Sequence, residues 1–271
     1  MKKVKDFMLT LFFLTGAIGT FAQEDGKLEI PLSEPGKRGT LKVNLMSGSI
    51  KITGYNGQTV VINYKSKEKS ISKSGRQDGL VRIPANTINL EGSEHDNTVI
   101  VKSNSFSRGV NLEIEVPRDF DINAKTHNDG DIVVDNIVGE VVTTNHNGDI
   151  TLGNISGLAL ANTFNGDIKI AYNQVTAGIP MSYNTYNGKV DLTLPQGTKA
   201  NFKMKSAMGE IFSGFDMQLE PSRPETSTDN KSGVYKVKIN EWVRGKINGG
   251  GPEITIKTYN GDVYIRKAGG N

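Results

Sequence analysis

Asp131, Asp149, Asp167 and Asp262 each follow a glycine and precede an aliphatic residue. The triplets are Gly130-Asp131-Ile132, Gly148-Asp149-Ile150, Gly166-Asp167-Ile168 and Gly261-Asp262-Val263. Carboxylates recurring at one place in a repeat could line up as hard oxygen ligands for calcium. The density is low, with one Asp per eighteen residues in the array, and Ser49, Lys189 and Glu210 take the same place in other copies. Glycine-rich calcium-binding repeats carry several ligands per turn. These aspartates are therefore expected to close turns by accepting from backbone amides, with calcium as the weaker alternative. Two residues before the glycine stand His146, Phe164, Tyr186 and Tyr259, with Asn128 and Ala207 in the remaining copies. An exposed column of rings would stack on sugars or on a partner's apolar groups. A buried one would be packing.

Other chemistry finds little to work with. His95, His127 and His146 have no helical i, i+4 partner and no cysteine nearby, so a zinc site is not expected. The chain has no Gly-x-Ser-x-Gly and no phosphate loop. The acidic residues sit at turns rather than converging on one strand face, as hydrolysis of a glycoside would need. No catalytic residue, metal or cofactor is expected. A carbohydrate-active β-helix lyase or hydrolase stands as the alternative. Zero cysteines exclude disulfides, a thiol nucleophile and a lipidated N-terminal Cys.

The elements that position these residues are set by glycine spacing. Gly130, Gly139, Gly148, Gly157 and Gly166 are nine residues apart, and Gly48 and Gly57 repeat that spacing earlier. Gly188, Gly209 and Gly261 complete the turn glycines. Two kinds of turn alternate, making an eighteen-residue unit with two strands. A fixed period near twenty residues marks a solenoid, in which each unit buries its apolar face only against its neighbours. Two residues after the glycine stand Ile132, Ile150, Ile168, Val190, Ile211 and Val263; four after it stand Val134, Leu152, Ile170, Leu192 and Ile265. These form two expected core columns. The spacing predicts an all-β chain, a single-stranded parallel β-solenoid with rungs of about 18–22 residues. Asn-Gly at 147–148, 165–166, 187–188 and 260–261 also suits two-residue hairpins, so a β-sandwich or a meander of hairpins is the competing fold. A longer corner with proline recurs, at Val116-Pro117 before Gly130 and at Leu194-Pro195 before Gly209. Proline cannot donate to a ladder and fits both places.

The N-terminus reads as an export signal over 1–22. Lys2, Lys3 and Lys5 precede an apolar run to Phe21, and Thr20-Phe21-Ala22 offers a cleavage site. The run is short for a span of about 20 residues, and no later stretch would cross a bilayer. Residues 23–40 read as an entry segment, 41–267 as the solenoid with polar loops near 65–79 and 216–234, and 268–271 as a tail. Cleavage leaves 29 basic and 28 acidic residues, too balanced for nucleic acid.

The repeated Thr-Tyr-Asn-Gly-Asp-Val and Thr-Phe-Asn-Gly-Asp-Ile, the Val-Pro and Leu-Pro corners and Gly249-Gly250-Gly251-Pro252 resemble the exported bacterial β-strand-repeat family labelled "putative adhesin". The likeness covers roughly 40–267, and the signal ending Thr-Phe-Ala-Gln is similar to those of Bacteroidetes-type bacteria. The resemblance implies a right-handed β-solenoid outside the cytoplasm, in the periplasm or at the cell surface. It implies no activity and no catalytic residues. The expected partner is a glycan or an envelope protein.

Overall fold

In a computed structural model, residues 25–67, 76–77, 80–81, 89–105, 109–176, 178–221, 225–229, 236–240 and 242–269 are described. The expected signal over 1–22, most of the loop near 65–79 and part of that near 216–234 lie outside them. Short strands with one buried face dominate, as the alternation of aliphatic and polar side chains requires. They form one sheet of ten strands and one of eleven, facing each other across the core.

The chain winds between the sheets, so each rung gives one strand to each. In spatial order, rung 1 is Thr98–Ser103 with Val110–Pro117, and rung 2 is Thr40–Ser47 with Ile50–Tyr55. Rung 3 is Asp121–Asn128 with Ile132–Asp135, and rung 4 is Val141–Asn145 with Ile150–Gly157. Rung 5 is Ala159–Asn162 with Ile168–Val175, and rung 6 is Met181–Asn184 with Val190–Leu194. Rung 7 is Glu253–Thr258 with Val263–Lys267, and rung 8 is Ala200–Ser206 with Ile211–Ser213. Neighbouring rungs pair in parallel in both sheets. This is the β-solenoid, and the Asn-Gly corners cross between sheets instead of closing hairpins. Ile132, Ile150, Ile168 and Val190 stand in register, 18, 18 and 22 residues apart along the chain.

Antiparallel strands close the ends. Thr59–Ser66 lies on rung 1 with Asp25–Pro31 beyond it, and Leu90–His95 covers the other sheet's edge. Val243–Ile247 covers Ala200–Ser206 of rung 8, with Gln218–Leu219 beyond it. The entry segment 23–40 thus contains a capping strand, and Gly57 lies in the turn that leads to a cap, not at a corner of the coil.

Rungs 2 and 7 depart from chain order. The copy around Gly48 sits inside the array, between rungs 1 and 3. The last copy, around Gly261, slots between rungs 6 and 8. This gives the two proline corners a purpose. After Pro117 and after Pro195 the chain steps over one rung, about 9.6 Å instead of about 4.8 Å. Each corner holds a turn: Phe120 N–H donates to the Pro117 carbonyl (3.1 Å) and Thr198 N–H to the Pro195 carbonyl (3.0 Å). The bypassed rung enters close by on a glycine. A Cβ on Gly39 would overlap the Phe120 ring, and one on Gly251 the Lys199 carbonyl.

The core is a pair of columns from each sheet. Ile50, Ile132, Ile150, Ile168, Val190 and Val263 are fully buried and stacked; Ile52, Val134, Leu152, Ile170, Leu192 and Ile265 form the second column. Ile211 is the exception. It belongs to the last strand of its sheet, has no rung beyond it among the described residues, and is only half-buried. In rung 5 the column residues of the other sheet are Ala159 and Ala161, and rung 6 supplies the bulky Met181 and Tyr183 beside them. Tyr183 and Tyr172 share a buried hydroxyl pair at 2.8 Å.

Candidate functional site

The sextet Thr-aromatic-Asn-Gly-Asp-Ile forms the corner leading from one sheet to the other, and nearly every position stacks on its own kind. The glycines come first, because they set how closely the rungs approach. A Cβ on Gly130, Gly148, Gly166, Gly188 or Gly261 would overlap the carbonyl of the glycine one rung earlier, and one on Gly209 would overlap that of Gly261. Each of those carbonyls also accepts from a side chain. Thr126, Thr163, Thr185 and Thr258 donate their hydroxyls to Gly48, Gly148, Gly166 and Gly188 at 2.8 to 3.0 Å, and Ser206 donates to Gly261. Asn145 takes the threonine's place in rung 4 and donates its amide to Gly130 (2.9 Å). Asn147, Asn165 and Asn187 each donate their side-chain amide to the Asn of the rung before, at 3.0, 2.8 and 2.7 Å.

Asp131, Asp149 and Asp167 lie in a row. Their carboxylates accept not from their own turn but from the backbone of the following rung: Asp131 from Asp149 N–H, Asp149 from Asp167 N–H and Asp167 from Lys189 N–H, all within 2.9 Å. Asp262 accepts from Glu210 N–H, and this bond, with a second from the Tyr264 hydroxyl, holds its carboxyl below the usual carboxylate range. Lys189 pairs with Asp167 at 3.4 Å. Among the described residues, no three His, Asp or Glu side chains gather as a metal site would require.

The rings form a longer ladder than the spacing suggested. His127, His146, Phe164, Tyr186 and Tyr259 stack in order, with centroids 4.6, 5.2, 4.9 and 4.7 Å apart and planes within 16° of parallel. Asn128, placed in the ring column by counting back from Gly130, belongs to the asparagine column instead. Asp129 is an extra residue in that corner, in the left-handed region at φ 57°, and it shifts the ring position to His127. Asp129 in the short stretch from Thr126 to Gly130 is the one sequence signal that could have exposed the shift.

Phe164, Tyr186 and Tyr259 are 44%, 43% and 47% exposed. Phe164 and Tyr186 are covered on both faces by their neighbours, so their exposure is mainly edge, whereas Tyr259 ends the ladder with one face stacked on Tyr186. Ring edges carry the positive end of the aromatic quadrupole. The ladder therefore offers C–H edges and two tyrosine hydroxyls to solvent, with a ring face left unstacked at its Tyr259 end rather than a row of open faces.

Beside the rings, the outer surface of the sheet sinks into a groove of about 490 Å³ across rungs 4 to 7. Phe164, Tyr186 and Tyr259 form one wall. The floor is built from the outward residues of three successive strands: Val142 and Thr144, Leu160 and Asn162, Ser182 and Asn184. Short side chains on adjacent rungs make the depression, and Lys257 of rung 7 stands at its end. The floor residues were not singled out in the sequence, because nothing local marks which strand face lies outward and shallow.

The family profile described as Toastrack DUF4097 matches residues 10–266. No curated protein matches the chain. Among solved structures, a "putative cell adhesion protein" from Clostridium sporogenes is similar at 12% identity and a TM-score of 0.50, over 90% of this chain and 100% of that one. A "putative adhesin" from Bacteroides fragilis is similar at 11% identity and a TM-score of 0.42, over 91% of this chain and 98% of that one. Neither description names an enzymatic activity. At such identities the first likeness concerns the fold. Among the described residues, no helix is long and apolar enough to cross a membrane.

Proposed function

The chain belongs to the Toastrack DUF4097 family, and from that premise we propose that it is a non-enzymatic binding or scaffold module, exported to the cell envelope, that contacts its partner through the ring ladder and the groove beside it. The observation that carries this reading is the ladder itself. Five rings and the groove beside them are held on a frame in which every rung is fixed by the next. A rigid, pre-formed surface loses little conformational freedom on binding. The basic and apolar composition of residues 1–21 supports export, as does the cell-adhesion description of the similar Clostridium sporogenes structure. The test is a panel of soluble and immobilised glycans together with envelope extract, scored for retention and for product release. Retention without release is expected. Turnover of any glycan would overturn the reading in favour of a carbohydrate-active enzyme.

A further inference from the structure

We infer that the groove across rungs 4 to 7 is a site for a linear, negatively charged glycan running along the solenoid axis. The inference rests on the binding reading above and adds the chemical class of the ligand. Three observations meet there. The first is the repeat of polar groups. Thr144, Asn162 and Asn184 occupy the same place on successive rungs, so the floor presents hydroxyl or amide groups about every 4.8 Å along the axis. A ligand matching that floor carries its own repeating hydrogen-bonding groups. An extended peptide would need a free sheet edge for backbone pairing, and the strands under the groove are paired on both sides.

The second is the wall. The faces of Phe164 and Tyr186 are covered within the ladder and Tyr259 is stacked on one face, so along Phe164 and Tyr186 the wall shows electropositive ring edges and a hydroxyl group. That stretch of the wall favours oxygen-rich, electron-rich groups over the C–H faces of neutral sugars. The third is charge. Among the described residues no carboxylate lines the groove, Lys257 does, and Lys257 makes no ion pair with a described residue. Asp131, Asp149 and Asp167 lie past the glycine corner and are not in the lining. A carboxylate or sulfate on the chain would meet Lys257 in a charge-assisted hydrogen bond.

The experiment uses polygalacturonate oligomers and their neutral methyl esters as probes, with binding read by calorimetry on the full chain. The acid form is expected to bind at least about tenfold more tightly than the ester, with affinity falling as salt rises. Lys257→Gln should remove most of that difference while leaving the melting temperature unchanged. Leu160→Trp, an outward substitution that fills the floor, should abolish binding of both. Equal binding of acid and ester, or an unchanged preference in Lys257→Gln, would overturn the charge assignment but leave a glycan-binding module standing. If neither probe binds but other glycans in the panel are retained, the inference fails alone. If the panel is cleaved, the binding reading fails with it.

Discussion

Asn145 is where the column of hydroxyl donors is interrupted. Its amide nitrogen reaches Gly130, but its Oδ1 is buried with no hydrogen-bond partner among the described residues. Threonine fills the place in rungs 3, 5, 6 and 7 with one donor and no orphan. Asn145→Thr is expected to stabilise the protein by about 1 kcal/mol, seen as a rise in the midpoint of urea unfolding. Asp149 gives the opposite test. Asparagine in its place keeps an acceptor for the Asp167 amide, so Asp149→Asn should leave the thermal melt nearly unchanged, with and without chelator. A large loss, or a chelator-sensitive melt in the native chain, would return the aspartate row to a calcium role. Tyr172 and Tyr183 supply a pH test. Burial pushes both hydroxyls well above their ordinary range, so the fold holds them neutral. Unfolded tyrosine ionises near pH ~10. Stability from the pair is complete below that value and is lost as pH rises above it toward the folded values. The melting temperature should be flat from about pH 7 to 9 and fall above about 10, with a shallower fall in a Tyr172→Phe/Tyr183→Phe double variant.

At the scale of the element, the same column residue has a different weight depending on its rung. Ile150 is fully buried between rungs 3 and 5, whereas Ile211 in the last strand of its sheet is half-buried. Ile150→Asp places an unpaired charge in the core and should cost several kcal/mol, about 3–5, enough to unfold the array. Ile211→Asp should leave a folded protein with frayed end strands, which amide exchange can report. The columns were legible in the sequence because their signal is local: a glycine, then an aliphatic residue two and four places on. The ring ladder was legible for the same reason wherever the corner kept its length. It failed at His127, where one inserted residue, Asp129, moved the count by one. The nature of the exposed surface was not legible. Spacing shows that Phe164 and Tyr186 recur, but only the stacking geometry shows that their faces are taken and their edges are what a partner meets.

For the whole molecule, the unexpected fact is the order of rungs. Spacing alone identifies the copies at Gly48 and Gly261, yet which copy pairs with which is a non-local choice that no window of sequence contains. The clue in the chain was indirect, the two proline corners that are long enough to step over a rung. A solenoid that loses a terminal unit usually loses one interface. Here removal of residues 253–271 would take away rung 7 and leave a gap between rungs 6 and 8. The truncated chain is expected to lose exchange protection in both of those rungs and to melt with reduced cooperativity. A truncated chain that keeps rung 8 protected would contradict that placement.

The buried position of rungs 2 and 7 also bears on tension. Near each end of the described chain lies a rung held by parallel ladders on both sides, not an edge strand open on one. A pull along the C-terminal strand Val263–Lys267 must slide it past two neighbours together, loading many hydrogen bonds in shear rather than breaking them one at a time. At the other end, Asp25–Pro31 can peel away first, because it is an edge strand. The two ends of the molecule are thus mechanically unequal, and force applied at the C-terminus meets the stronger clamp.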